Sequence, residues 1–403
     1  MDFRDTPEEA AFRKEIREWL ESNLPSQEEQ GELSVGPEEE RVEARRSWQA
    51  KLNEGGWAGV AWPKQYGGRG ASLIEQAIFY QEMARAKAPS PINVIGIGMA
   101  GPTIMVHGTE EQKQRYLPKI LSADEIWCQG FSEPGAGSDL AAAKSSAIED
   151  GDSYIINGQK VWTTLAHIAG WCIFVARTDP TAPKHQGLSY FLVDMHSPGI
   201  EVRPLVQITG TPEFNEMFFT NVRVPKENML GKPGDGWRIA MTTLMHERGT
   251  LGFALSVQAR IALDELIELA KKLKRNGKPA IEDAVVRQRI AQMHIEVEAM
   301  RLNNYRALSA IMRTGVPGPE GSLGKLLWSE SVKRMGDLAL EILGPSGLLL
   351  DSKTLPELHR WQHMHLRARA HTIEAGTSEI LRNIIAERVL GLPKHRWSTA
   401  EAH

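Results

Sequence analysis

Four short segments hold the side chains whose types and spacing could do chemistry. Phe131-Ser132-Glu133-Pro134-Gly135-Ala136-Gly137-Ser138-Asp139 sets hydroxyls and carboxylates around a proline and two glycines. Glycines at alternate positions let the backbone approach a ligand closely and aim bare N–H groups at it. Trp162-Thr163-Thr164 puts two hydroxyls beside an aromatic face. Gly376-Thr377-Ser378-Glu379 precedes the amphipathic run Ile380, Leu381, Ile384, Ile385. Its Gly-Thr pair is therefore expected at a helix N-terminus, where free N–H groups and the dipole favour an anion such as a pyrophosphate. Leu244-Met245-His246-Glu247-Arg248-Gly249 places a carboxylate and a guanidinium after apolar neighbours. Taken singly, each segment has an ordinary reading: a turn, a core tryptophan, a threonine cap, a surface glutamate. Taken together, they point to a ligand site.

The elements that must position these segments follow from the period of the apolar residues. Phe12, Ile16, Trp19 and Leu20 recur at helical spacing, with acidic residues leading in after Pro7. The Glu-rich stretch from Gln27 to Glu40 reads as an exposed loop, and Gly55 to Pro63 with Tyr66-Gly67-Gly68 as an irregular packed connection. From about residue 123 the period changes. Tyr154-Ile155-Ile156 and Lys160-Val161-Trp162 flank Asn157-Gly158, which predicts a hairpin turn there. Trp171 to Val175, Leu188 to Val193 and Met217 to Phe219 are further β-rich runs. After Gly236 the helical period returns: Leu263, Leu266, Ile267 and Ala270 line one face, and Val286, Ile290, Met293, Val297 and Met300 another. The expected organisation is mainly α with an inserted β domain. Residues 1–122 form an N-terminal helical domain, 123–235 a middle β domain and 236–403 a C-terminal helical bundle.

Bulk properties narrow the function classes. A chain of 403 residues with 41% hydrophobic and 24% charged residues can bury a large core. A formal net charge of −4 without a basic stripe argues against nucleic acid as a partner. Cys128 and Cys172 make neither a disulfide framework nor a zinc set and fit a reducing compartment. No cationic, apolar leader opens the chain, and the apolar stretch Pro91 to Val106 is broken by Gly96, Gly98, Gly101 and Pro102. The expectation is a soluble cytoplasmic protein that neither spans a membrane nor binds nucleic acid. His359, His363 and His365 include a metal-ligand spacing but lack the companions of a known metal motif, so no metal site is expected. Glu149-Asp150 and Glu38-Glu39-Glu40 read as solvated loops.

The segments Phe131 to Asp139, Trp162-Thr163-Thr164, Val222-Arg223-Val224-Pro225 and Gly376 to Ile380, in this order and over nearly the whole chain, resemble the acyl-CoA dehydrogenases. The resemblance implies an N-terminal helical domain, a middle β-barrel-like domain and a C-terminal four-helix bundle, with FAD as cofactor. It also implies an acyl-CoA substrate, an electron-transfer flavoprotein as electron acceptor, and a homotetramer. Carried over to this chain, Gln129, Phe131, Ser132 and Ser138 form the shelf for the flavin ring, its phosphates and the thioester tail. Trp162, Thr163 and Thr164 form the wall beside the flavin, with Thr164 hydrogen-bonding a ring nitrogen. Thr377, Ser378 and Glu379 contact the cofactor, and Glu341 to Gly344 resembles another FAD-contacting turn, often supplied across a subunit interface.

In many relatives the base that removes the α-proton immediately precedes the Gly-Thr pair. That position is Ala375 here, which cannot take a proton, and Glu374 stands one residue too early. A subset resembling isovaleryl-CoA and long-chain dehydrogenases carries the base on a bundle helix just before an arginine, which assigns it to Glu247. Arg248, Ser138, Ala375 and Gly376 then face the substrate. The Ala375 N–H, with a flavin ribityl hydroxyl, binds the thioester oxygen. Desolvation by substrate is expected to raise the Glu247 pKa towards working pH. The reaction implied is dehydrogenation of an acyl-CoA to the trans-2-enoyl-CoA, the β-hydride passing to flavin N5. Two alternatives keep the fold: an acyl-CoA oxidase or flavin monooxygenase, and a subunit of a heteromeric dehydrogenase. One departure bears on assembly. The usual Arg-x-x-Phe-Gly contact to a neighbour's FAD phosphates is replaced by Leu273 and Asn276 before Gly277, with Lys272, Lys274 or Arg275 as substitutes.

Overall fold

The computed structural model describes residues 4–26, 38–314, 318–349 and 356–394, the side chains of 38–39, 247–253 and 356–359 excepted. The chain divides into two compact units, residues 1–250 and 251–403.

The first unit begins with helices α1 (Pro7–Asn23), α2 (Glu38–Glu54), α3 (Leu73–Arg85), α4 (Gly101–His107) and α5 (Glu110–Ser122). Three of them start at reciprocal caps: Thr6 with Glu9, Ser72 with Glu75, and Thr109 with Gln112. Each cap satisfies two backbone donors that the first turn would otherwise leave open. Phe12, Ile16 and Leu20 are buried at the expected helical spacing. Glu38 to Glu40, expected as a loop, opens α2 instead. Acidic residues suit a first turn because the N-terminal dipole is positive.

A mixed, mostly antiparallel sheet completes the first unit. Its strands are β1 (Trp127–Gly130), β2 (Ser146–Asp150), β3 (Ser153–Thr164), β4 (Trp171–Arg177), β5 (Leu188–Asp194), β6 (Ile200–Leu205), β7 (Phe214–Pro225) and β8 (Met229–Leu230). The order is β6-β7-β3-β2-β4-β5-β8, with β1 pairing in parallel to β4. The barrel-like closure implied by the resemblance is not formed. Among the described residues β6 pairs only with β7 and the two-residue β8 only with β5, so the edges do not meet. The expected hairpin at Asn157-Gly158 is also corrected. Asn157 and Gly158 lie inside β3, where the register against β7 shifts between Ile156 and Gly158. The turn falls earlier, at Gly151-Asp152, between the paired Asp150 and Ser153; Gly151 has φ +63°. Glu149 and Asp150, expected in a loop, end β2 as exposed residues paired with Lys226 and Arg223. Helix α6 (Gly236–Lys272) then begins.

The second unit takes up α6 after residue 250. It adds the two-residue strands β9 (Lys274–Arg275) and β10 (Lys278–Pro279), then α7 (Ala284–Thr314), α8 (Gly321–Leu343), α9 (Pro356–His371) and α10 (Ser378–Ile384). Leu263, Leu266 and Ala270 of α6, the expected face of α7, Met335 and Leu338 of α8, and Trp361 and Ala368 of α9 share one core. His365 on α9 pairs with Asp337 at 3.0 Å. Among the described residues no helix is long and apolar enough to cross a membrane.

Candidate active site

In the first unit, β1 delivers Gln129 and leads directly into the Phe131 to Asp139 segment. Phe131 is buried and meets Tyr190 edge-on, ring centroids 5.8 Å apart. The segment is fastened from β3. Val161 N–H donates to Ser132 O at 2.9 Å, and Lys160 Nζ donates to Phe131 O at 3.1 Å and to Glu133 Oε1 at 2.8 Å. Glu133 also accepts the N–H groups of Lys144 and Ser145 at 2.6 and 2.9 Å. Burial acts against both charges and draws the Lys160 ammonium below its ordinary value. It also pushes Glu133 upward, yet the nearby ammonium and the donated hydrogen bonds outweigh it and hold that carboxylate below its usual range. The ion pair is a buried strut under the turn. Sequence reasoning gave it no role, although Glu133 lies within the quoted segment.

Above this strut the rim is open. A Cβ built on Gly135 or Gly137 would meet nothing within 4 Å among the described residues, and Ser138 is exposed. The glycines are thus not required by packing inside the protein. Ser132 is half-buried, and the exposed Asp139 pairs with Lys184.

Trp162 occupies a second irregularity of β3, between Lys160 and Thr163, with φ +61°. The left-handed backbone turns the indole out of the strand's alternation, leaving it 61% exposed against the edge of Phe214. Thr163 points inward at 1% exposure, and its buried Oγ1 has no hydrogen-bond partner among the described residues. Its carbonyl accepts Asn215 Nδ2 at 3.0 Å, and Asn215 Oδ1 meets His167 Nδ1 at 3.1 Å. Thr164, half-buried, pairs across the ladder with Phe214. Glu247 and Arg248 are helical positions of α6, and their side chains lie outside the described residues.

In the second unit, Ala375 and Gly376 both have left-handed backbones, φ +51° and +94°. Lys325 Nζ holds the Gly376 carbonyl at 2.8 Å. Thr377 caps α10, its hydroxyl accepting Ile380 N–H at 3.2 Å. Ser378 is buried and donates to Glu330 at 2.9 Å; Glu379 is exposed. Glu374 is enclosed by Arg367, at 3.0 and 3.1 Å, and by His371 at 2.6 Å. Burial works to raise its pKa, but His371 and Arg367 prevail and hold it at about 2. Such a carboxylate is a weak base. Glu341 is bound by Arg275, at 2.9 Å, and by Arg289, and stays below the usual range through those hydrogen bonds. Gly344 closes α8 with φ +56°.

The structure therefore groups Gln129 to Ser138 with Trp162 to Thr164 in one unit, and Ala375 to Glu379 with Lys325 and Glu330 in the other. Glu341 and Gly344 lie at the end of α8.

Three family models match the chain in order: acyl-CoA dehydrogenase N-terminal domain over residues 6–124, middle domain over 128–222 and C-terminal domain over 234–390. Acyl-CoA dehydrogenase IpdE1 of Mycobacterium tuberculosis is 43% identical over 388 residues, which are 95% of this chain and 97% of that protein. The ChsE4-ChsE5 complex from Mycobacterium tuberculosis gives a TM-score of 0.84 at 32% identity, covering 98% of this chain and 100% of the other. The Tcur3481-Tcur3483 steroid ACAD gives the same values. With this agreement along the whole chain, the protein belongs to the acyl-CoA dehydrogenase family, whose members are FAD-dependent flavoproteins.

Proposed function

We propose that this acyl-CoA dehydrogenase binds FAD on the Gln129 to Ser138 shelf and converts an acyl-CoA thioester to the trans-2-enoyl-CoA, with Glu247 as base. The residues present fit the cofactor. Trp162 offers an exposed aromatic face, Thr163 Oγ1 lacks a partner among the described residues, and the Gly135-Gly137 rim has room for a close approach. Gln129, Phe131, Ser132, Ser138, Trp162, Thr163 and Thr164 would contact the cofactor from the first unit, and Thr377, Ser378 and Glu379 from the second. When bound, FAD supplies a two-electron acceptor for the β-hydride.

The protein's own work is placement and proton transfer. The Ala375 N–H donates to the thioester oxygen and stabilises the negative charge that develops as the α-proton leaves. Glu247 takes that proton, and Arg248, Ser138 and Gly376 line the thioester. One observation carries the choice of base: Ala375 has no ionisable group, and Glu374 is tied up by Arg367 and His371 at about pKa 2. That leaves Glu247 as the carboxylate offered by the family's second arrangement.

The steroid ACAD likeness supports a ring-bearing acyl group, and the two-component ChsE4-ChsE5 complex supports a heteromeric assembly. With Arg275 already paired with Glu341, the exposed Lys272 and Lys274 remain as substitutes for the departure at Leu273 and Asn276. An electron-transfer flavoprotein is the expected acceptor.

The test is anaerobic titration of the purified yellow protein with straight, branched, dicarboxylic, aromatic and steroid-derived CoA thioesters. Ring-bearing thioesters should bleach the flavin, and aerobic turnover without an added acceptor should release little peroxide. A colourless protein, or a flavin that no thioester bleaches, contradicts the reading; stoichiometric peroxide supports the oxidase instead.

A further inference from the structure

The first turns of α6 are fixed by contacts that packing alone does not require. A Cβ on Gly236 would lie 2.6 Å from Leu188 C and Ser189 N, so only glycine lets the start of α6 lie this close to β5. Gly234 N–H donates to Ser189 Oγ at 3.1 Å. Two turns on, Thr243 is fully buried and forms the centre of a hydroxyl cluster. Tyr190 OH of β5 lies 3.0 Å from Thr243 Oγ1, and Thr103 Oγ1 of α4 lies 2.9 Å from it. Each threonine also reaches the carbonyl four residues back, Met99 O just ahead of α4 at 2.7 Å and Ile239 O within α6 at 3.1 Å. Beside this cluster, His107 Nε2 meets Thr242 Oγ1 at 2.9 Å.

Three hydroxyls buried among Ile239, Ala240 and Leu192 are costly unless each is bonded, and Phe or Val would fill the same volume. Tyr190 OH and Thr243 Oγ1 share a hydrogen bond in which either hydroxyl can donate. Burial raises the Tyr190 pKa, so the phenol stays protonated and the link to Thr243 stays hydroxyl to hydroxyl. The same ring packs edge-on against Phe131 of the shelf. One side chain thus joins the flavin shelf to α6. Thr243 stands four residues before Glu247, one helical turn along the same helix.

We propose that Tyr190, through Thr243, fixes the turn of α6 that carries Glu247, and is a positioning residue for α-proton abstraction. The proposal rests on Glu247 being the base. Positioning to a fraction of an ångström is what sustains proton-transfer rates, so a loosened turn lowers the rate while substrate binding persists.

The experiment compares FAD-loaded wild type, Tyr190→Phe, Thr243→Val, Thr243→Ser, the Tyr190→Phe/Thr243→Val pair and Glu247→Gln by anaerobic stopped-flow with the thioester that bleaches wild type. Tyr190→Phe and Thr243→Val should each lower the limiting reduction rate about tenfold, with half-saturation within about twofold and full FAD content. Thr243→Ser, which keeps the hydroxyl, should restore most of the rate. The double variant should be little slower than either single one, because both break the same link. Wild-type reduction by Tyr190→Phe alongside an inert Glu247→Gln overturns the positioning role alone. So does a Thr243→Ser rate no better than Thr243→Val. Normal bleaching by Glu247→Gln overturns the base assignment, and the proposal with it.

Discussion

Trp162 carries two features that a core tryptophan lacks, φ of +61° and 61% exposure. A left-handed non-glycine residue costs about 1 kcal/mol or more, and the exposed ring recovers little of that by burial. Trp162→Gly should therefore leave the apoprotein's urea midpoint unchanged or slightly raised, while weakening FAD binding about tenfold or more. Equilibrium unfolding and flavin titration check the two halves separately. Lys160 is the opposite case: it has no exposure and no expected contact with substrate. Lys160→Met strands Glu133 without its cation and should cost about 3 kcal/mol in unfolding free energy, with loss of FAD. The double variant Lys160→Met/Glu133→Gln should recover part of that stability. In the sequence, the hydroxyls, carboxylates and glycines of the 131–139 segment are plain. The strut is not, because a lysine in a β-rich run gives no sign of whether its amine reaches solvent or folds back under a turn.

At the level of elements, the helices were the most legible. Their 3.6-residue period and their capping residues agree, and both are local properties. The strands were legible as strands, but not their connections. Asn157-Gly158 has the composition of a hairpin turn and instead forms a bulge, while the turn is made at Gly151-Asp152. Both sites contain a glycine, and which of them becomes the turn depends on β7 lying alongside β3, a non-local pairing. Gly158 is constrained by proximity: a Cβ there would lie 2.3 Å from Ser145 Oγ and 2.8 Å from its Cα, at φ +152°. Gly158→Ala should destabilise the protein by about 1–3 kcal/mol, read as a lowered thermal midpoint. Gly151→Ala meets no atoms within 4 Å and should cost only about 1 kcal/mol, for its positive φ.

For the whole molecule, the helical, β, helical order followed from period changes, but the open sheet did not. Alternating burial fixes which residues face inward, whereas closure depends on whether distant edges meet. The pH response also belongs at this scale. Glu82 in the first unit and Glu374 in the second both sit at about 2, against an ordinary 4.5. Burial opposes each charge; Arg17, Arg85 and Arg13 overcome it at Glu82, and His371 and Arg367 at Glu374. A carboxylate whose folded pKa is depressed contributes stability above its unfolded pKa and loses it as pH falls through the folded value. Unfolding free energy should therefore drop between about pH 4.5 and pH 2, measured by urea titration across that window. Glu82→Gln should be less stable at neutral pH and show a shallower slope.

The most direct test of the account is flavin bleaching by acyl-CoA in Glu247→Gln and Glu374→Gln, both purified with FAD. Glu247→Gln should keep its flavin and not bleach, whereas Glu374→Gln should bleach. Near-normal reduction by Glu247→Gln, with reduction lost in Glu374→Gln, would contradict it.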